Sequence, residues 1–212
     1  MKDHLQNIKN AVIGYRKDEV IWLIRAAIET GLTPTQIIDN ALIKAMDHVG
    51  KEFSVGKIFL PEMLVSAMTM KDGLEIVKPL LQDSKSISRG KVLLATVKGD
   101  LHDIGKSIVA MMLESAGFEV IDLGVDTDVS KIVEKITEVK PDILGLSALL
   151  TTTIPEMANV MKGLTTEGLR DQIKVAVGGA AVTTAFASKI GADGYGVDAT
   201  EAVEVARRLI AK

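Results

Sequence analysis

The chain has 212 residues, 25 basic and 28 acidic, with 47% hydrophobic and 25% charged side chains; this ordinary globular balance excludes disorder and allows one or two cores. A net charge of -3 gives no electrostatic reason to expect a nucleic-acid partner, and 3% aromatic residues is too few for base-stacking platforms. The lack of cysteine excludes disulfides, thiolate nucleophiles, zinc ribbons and cysteine-ligated iron–sulfur clusters.

No apolar run approaches the roughly 18 residues that span a bilayer. The start, MKDHLQNIKNAVIG, has no signal-peptide core, so a cytoplasmic protein without a membrane partner is expected. The first part reads as helices. Val20, Ile24, Ala27 and Ile28 make one stripe at helical period; Ile38, Ala41, Leu42, Ala45, Met46 and Val49 make a second. Met63, Ala67, Met70, Leu74 and Val77 make a third. Pro34 and Pro61 suit the first turns of helices. The spacing predicts four helices, about 3–14, 17–30, 34–52 and 60–79, forming an N-terminal four-helix bundle. The polar, serine-rich run QDSKSISRG (82–90) reads as a linker. It sets domains at 1–84 and 91–212, with 85–90 between them.

From Lys91 the grammar changes. Thirteen of the 18 glycines lie from Gly90 onward. Strands are predicted at 91–97, 118–124, 142–149, 174–179 and 194–197. Helices are predicted between and after them, near 103–117, 129–138, 155–166, 183–190 and 199–211. Strands alternating with helices imply right-handed crossovers and an α/β, flavodoxin-like, five-stranded parallel sheet.

In such a sheet the ligand sits outside the carboxyl ends of the strands. The loop after the first strand, KGDLHDIGK (98–106), carries Asp100 and His102 two residues apart, so both can point the same way. Neutral imidazole is a good metal ligand, and a carboxylate on its other nitrogen fixes the tautomer. Gly105 permits close backbone approach. The loop alone fits a second reading equally well, in which Asp100 or Asp103 caps the helix and His102 is a surface residue. Ser147, ending the third strand, is placed to reach Asp100 and extend the pair to a Ser–Asp–His chain. Gly178 and Gly179, ending the fourth strand, remove bulk where a ligand could approach, although a tight turn alone would also explain them. Thr183 and Thr184 add hydroxyls at a helix start.

Asp100-x-His102-x-x-Gly105, 41 residues (106–146), Ser147-x-Leu149, 28 residues (150–177) and Gly178-Gly179 resemble the signature of cobalamin-binding domains of the methionine-synthase and corrinoid-methyltransferase type. The helical half, with KIFLPEMLVSAMTM (57–70), is similar to the cap that such proteins carry. The resemblance implies a cobalamin (corrinoid) cofactor whose cobalt takes His102 as lower axial ligand in place of the cofactor's own base. It implies that Asp100 bonds His102, that Ser147 bonds Asp100, and that these three carry the chemistry. The nucleotide tail would run beside Gly105, Ser147, Leu149, Gly178 and Gly179, with Asp103, Ile104, Thr151 and Thr183 on the same loops. Phe59, Leu60 and Met63 would cover the upper face, unless they are bundle core, as methionines at helical spacing usually are.

The function implied is methyl carriage between cob(I)alamin and methyl-cob(III)alamin. A substrate:corrinoid methyltransferase of O-demethylase, methylamine or methanol type would donate. A second methyltransferase, tetrahydrofolate-linked, would accept, and a reductive activating protein would restore oxidised cobalt. The rival reading is a cobalamin-dependent sensor, which would need a DNA-binding module; no basic recognition helix stands out. A mutase subunit would need a separate substrate-binding barrel. A phospho-receiver would need an aspartate where Ser147 stands.

Overall fold

The computed structural model describes residues 2–80 and 88–211. Its contacts divide the chain into two compact units, one helical and one α/β. Residues 85–87 of the expected linker lie outside the described residues. Ser88–Gly90 are held on the α/β unit: Glu119 N donates to Ser88 Oγ at 2.8 Å.

The helical unit contains α1 (Lys2–Ile13), α2 (Lys17–Glu29), α3 (Pro34–Ile37), α4 (Ile43–Ser54) and α5 (Leu60–Val77). Thr33 starts α3 through a capping box. Its hydroxyl accepts from Gln36 N, and Thr33 N donates to the Gln36 side chain. The helix expected over 34–52 is interrupted by a π-helical turn, Ile38–Leu42, between α3 and α4. Ile37, Ile38, Ala41, Leu42 and Ile43 are all buried. That apolar arc is too wide for one regular stripe, and the extra residue of a π turn rotates the following helix to bring both ends of it inward. Gly73 marks the closest approach of α5. A Cβ there would lie 2.8 Å from Ile24 Cδ1 and 3.3 Å from Leu42 Cδ2.

The α/β unit carries β1 (Lys91–Thr96), α6 (Ile104–Ser115), β2 (Glu119–Asp122), α7 (Val129–Val139), β3 (Ile143–Ser147) and α8 (Ile154–Thr166). It continues with β4 (Lys174–Gly178), α9 (Thr184–Ile190), β5 (Gly194–Gly196) and α10 (Ala199–Ile210). All strand pairs are parallel, in the order β2-β1-β3-β4-β5. The expected elements and their order agree with this fold, with ends displaced by one or two residues.

Alternation along the strands divides the two faces. Leu93, Ala95, Leu144, Leu146, Val175 and Val177 pack with α7, α8 and α9 in the main core. Val92, Leu94, Ile143, Gly145 and Ala176 face α6 and α10 and line a cavity. Gly194 lets α10 approach the sheet, since a Cβ there would lie 2.4 Å from Val205 Cγ1. β1 sits between β2 and β3, so the crossover from β1 to β2 through α6 covers one face of the sheet and the return from β2 to β3 through α7 covers the other. The crevice at the carboxyl end of β1 is the topological switch point.

Candidate functional site

The loop leaving β1 is fixed by its backbone before any side chain is considered. Asp100 N donates to Val97 O at 3.1 Å, and Asp126 N to Asp100 O at 2.9 Å. Gly99, at φ +76°, donates to Asp126 Oδ1 at 2.7 Å. Thr96 Oγ1 donates to His102 O at 3.1 Å. Asp100 is thereby turned inward, 0% exposed, while His102 keeps 51% of its side chain in solvent.

The buried carboxylate is fully engaged. Oδ1 accepts from His102 N at 3.0 Å and lies 2.7 Å from His102 Nδ1. Oδ2 accepts from Leu149 N at 2.7 Å, Leu150 N at 3.3 Å and Thr153 Oγ1 at 2.7 Å. Burial opposes ionisation, but the Thr153, Leu149 and His102 hydrogen bonds overcome it and hold the carboxyl well below the usual carboxylate range. A charged Asp100 needs a donor at Nδ1. His102 is then the Nδ1–H tautomer, with a lone pair on Nε2 turned away from the carboxylate.

The hydroxyl on Asp100 is therefore that of Thr153, not Ser147. This corrects the expected Ser–Asp–His chain. Ser147 is the last residue of β3 and lines the cavity. Beyond it the chain turns under Asp100, so the amides of Leu149 and Leu150 and the hydroxyl that opens α8 all converge on Oδ2. Sequence reasoning missed Thr153. The available signal was the hydroxyl-rich run Thr151–Thr153 just before Pro155, a helix start able to supply donors.

The other expected residues fall in several places. Gly105, Ser147, Leu149, Gly178 and Gly179 line the cavity together with His102. A Cβ at Gly105 would meet nothing within 4 Å, so the space above the first turn of α6 is open. At Gly179, φ is +125° and a Cβ would lie 2.0 Å from Ala148 O, so only glycine fits. Asp103, Ile104 and Thr151 are exposed on the rim. Thr183 caps α9, accepting from Phe186 N at 3.2 Å. Phe59 and Met63 belong to the helical unit. Phe59 is 70% exposed, whereas Met63 is only 3% exposed, which makes it a core residue rather than a free covering surface.

The cavity, about 370 Å³, lies within the α/β unit between α6, α10 and the sheet. Ile143 and Ser147 both line it, four residues apart on β3, so it runs about 13 Å along the strands. Leu149 and Val197, which line it, are exposed apolar side chains, as are Leu101, Ile104 and Leu150 on the same segments that follow β1 and β3. Isolated exposed apolar residues are common, but five on the segments that follow β1, β3 and β5 suggest a surface meant to be covered. Sequence reasoning also missed Lys106. Its side chain is 3% exposed and paired with Asp122 at the end of β2, tying α6 to the sheet edge.

A lone histidine is a poor metal site by itself, and among the described residues no group of three His, Cys, Asp or Glu side chains is placed to hold a metal ion. A metal held at His102 must bring its own equatorial ligands, as a metal in a macrocycle does. One imidazole with a carboxylate behind it, exposed apolar side chains nearby and an adjacent apolar cavity are compatible with such a group.

Residues 90–204 and 4–78 each match a B12 binding domain model. The chain is 46% identical over 208 residues to dimethylamine corrinoid protein 1 of Methanosarcina acetivorans, covering 98% of this chain and 97% of that protein. The chain belongs to the B12-binding corrinoid proteins. Among solved structures, this corrinoid protein is similar to the methanol:cobalamin methyltransferase complex of Methanosarcina barkeri. The TM-score is 0.89 at 34% identity, over 99% of this chain and 80% of that one. It is also similar to a cobalamin-binding protein from Desulfitobacterium hafniense, with a TM-score of 0.77 at 33% identity, over 97% and 98% of the two chains. The fold class and the cobalamin cofactor expected from the signature are those of this family. Among the described residues, no helix of this corrinoid protein is long and apolar enough to cross a membrane.

Proposed function

We propose that the protein is a methyl carrier that binds a corrinoid with His102 Nε2 as the lower cobalt ligand, in a methylamine or methanol methyltransferase system. A bound corrinoid would supply the metal-centred nucleophile that carries the methyl group, and the chain's own residues would hold and orient it. The observation that carries the ligand assignment is the 2.7 Å contact between His102 Nδ1 and buried Asp100. A metal-ligating imidazole characteristically donates its second N–H to a carboxylate. Asp100 keeps the proton on Nδ1 and leaves Nε2 free to ligate. Thr153 and the Leu149 and Leu150 amides keep Asp100 charged and in place.

The exposed residues Leu101, Ile104, Leu150 and Val197 would support the lower face of the macrocycle. Ser147, Gly105, Gly178 and Gly179 would pass the nucleotide tail into the cavity. A substrate:corrinoid methyltransferase would donate the methyl group, as the similarity to dimethylamine and methanol system proteins suggests. A tetrahydrofolate-linked methyltransferase would accept it, and a reductive activating protein would return oxidised cobalt to service.

The test is reconstitution followed by paramagnetic resonance of the Co(II) form. The wild-type protein should retain about one corrinoid and show axial nitrogen splitting from His102. The His102→Ala variant should retain corrinoid without that splitting. A colourless wild-type protein after reconstitution under reducing conditions would overturn corrinoid binding. Splitting that persists in His102→Ala would overturn the ligand assignment.

A further inference from the structure

The loop that carries His102 is gripped by the end of β2 and the segment after it. Three carboxylates there meet the loop Lys98–Lys106. Lys106 Nζ holds Asp122, Gly99 N donates to Asp126 Oδ1 at 2.7 Å, and Lys98 Nζ lies 2.6 Å from Asp128 Oδ1. The three grips differ in weight. Both side chains of the Lys98–Asp128 pair are more than half exposed, and such pairs contribute little. Lys106 acts beyond the histidine, within α6. Asp126 acts on the backbone that leads into Asp100.

Asp126 makes two contacts there. Its Oδ1 takes the Gly99 amide, and its own amide donates to Asp100 O at 2.9 Å. Gly99 and Asp100 are thus bracketed by one residue, at the nitrogen that enters the pair and at the carbonyl that leaves it. Asp100 N donates to Val97 O across a tight turn with Gly99 at φ +76°. That turn does not use the Gly99 amide, which is left to Asp126. Asp126 itself sits at φ +50°. Glycine would adopt that angle at less cost, but it has no carboxylate to offer Gly99.

Resting on the reading of His102 as the cobalt ligand, we propose that Asp126 is a positioning residue for that ligand, acting through the backbone of Asp100. The carboxylate oxygens of an aspartate lie about 3 Å from its Cα, so a backbone swing of about 20° moves them about 1 Å. That displacement takes the 2.7 Å contact with His102 Nδ1 past hydrogen-bonding range. The imidazole then loses the partner that orients it and keeps its proton on Nδ1. Loss of a group bonded directly to a metal-ligating imidazole commonly costs about 10–100-fold in affinity. Asp126 stands one residue further from the metal than Asp100, so a loss of about 10-fold is expected.

The experiment is a double-mutant cycle on the full-length apoprotein. Cobalamin affinity is read by ultrafiltration and absorbance, and ligation by the axial nitrogen splitting of the Co(II) form. Asp126→Gly keeps the backbone angle and removes the acceptor, whereas Asp126→Asn keeps the angle and an acceptor oxygen. Asp126→Gly should bind cobalamin about 10-fold more weakly than wild type and show a smaller fraction with the splitting. Asp126→Asn should restore both. In the His102→Ala background Asp126→Gly should cost nothing further, because its effect runs through the histidine. Asp126→Ala serves where the glycine variant does not fold. Wild-type affinity and splitting in Asp126→Gly would overturn the proposal, as would failure of Asp126→Asn to restore them. An equal loss in the His102→Ala background would also overturn it, since a general structural role does not depend on the histidine. Unchanged affinity and splitting in His102→Ala itself would overturn the ligand assignment and the proposal together. A wild-type protein that binds no cobalamin would overturn the corrinoid reading as well.

Discussion

The substitution that probes the site most sharply is Asp100→Asn, because it changes the carboxylate's hydrogen-bonding pattern without changing its shape. Five donors face the two oxygens: His102 N and His102 Nδ1 on Oδ1, and Leu149 N, Leu150 N and Thr153 Oγ1 on Oδ2. An amide offers one oxygen and one NH2. If the NH2 faces Leu149, the Leu149 and Leu150 amides lose their acceptor. Thr153 can adapt by accepting from the NH2 and donating to Leu150 O, 3.0 Å away. If the NH2 faces His102, the imidazole must carry its proton on Nε2 to accept at Nδ1, and Nε2 can no longer ligate a metal. His102 N is also left unpaired. Either arrangement leaves at least one part-buried donor unsatisfied, at most about 1–3 kcal/mol each, and the second also abolishes ligation. The apoprotein should lose about 1–3 kcal/mol in urea titrations at neutral pH. The corrinoid-loaded protein should show about 10–100-fold weaker binding or a reduced fraction with axial nitrogen splitting. The sign with pH follows from the lowered pKa of Asp100. Its stabilising contribution is complete above the usual carboxyl value near pH 4 and is lost as the pH falls below it. The difference between wild type and Asp100→Asn should therefore shrink in acid. Unchanged neutral-pH stability together with unchanged splitting would refute this account of the site.

Thr153→Val keeps the shape of Thr153 and removes one of the five donors, so a loss of about 1 kcal/mol is expected in the same titrations. Ser147→Ala should leave the Co(II) resonance unaltered, since Ser147 does not bond Asp100; a lost nitrogen splitting would restore it to the chain. Gly179→Ala forces φ +125° and a 2.0 Å approach to Ala148 O. The expected loss is about 3 kcal/mol or more in thermal or urea unfolding, and wild-type stability would contradict the geometry. The reduced protein alone should take methyl from methyl iodide. It should not take methyl from a methylamine, methanol or a methoxyaromatic until a partner methyltransferase supplies the activating acid or metal. Rapid methylation by one of these donors without a partner, followed by absorbance, would reveal a substrate site in this chain.

Much of this protein is legible in local sequence. Helical stripes such as Val20–Ile24–Ala27 and the short apolar strands from Lys91 onward report burial on one or two faces, and burial follows the period of the backbone. The Asp100–His102 pair is legible as a candidate, because side chains at i and i+2 on one loop can point the same way, but its 2.7 Å contact rests on a loop held by Asp126, Leu149 and Thr153. The π turn at Ile38–Leu42 is not local, since its reason is an apolar arc that must fit against α1 and α5. The hydroxyl on Asp100 is also set at long range. Ser147 and Thr153 are both polar residues near the end of β3, and only the course of the turn between them places Thr153 at Oδ2. The cavity depends still more on the tertiary fold, because Val205 and Ala206 reach it from α10, more than a hundred residues from His102. Sequence alone determined which segments are helix or strand and which loop carries the histidine. The choice among nearby hydroxyls, and the apolar depth beside the histidine, came only when distant segments packed, because hydrogen bonds and van der Waals contacts act over a few ångströms of space whatever the separation along the chain.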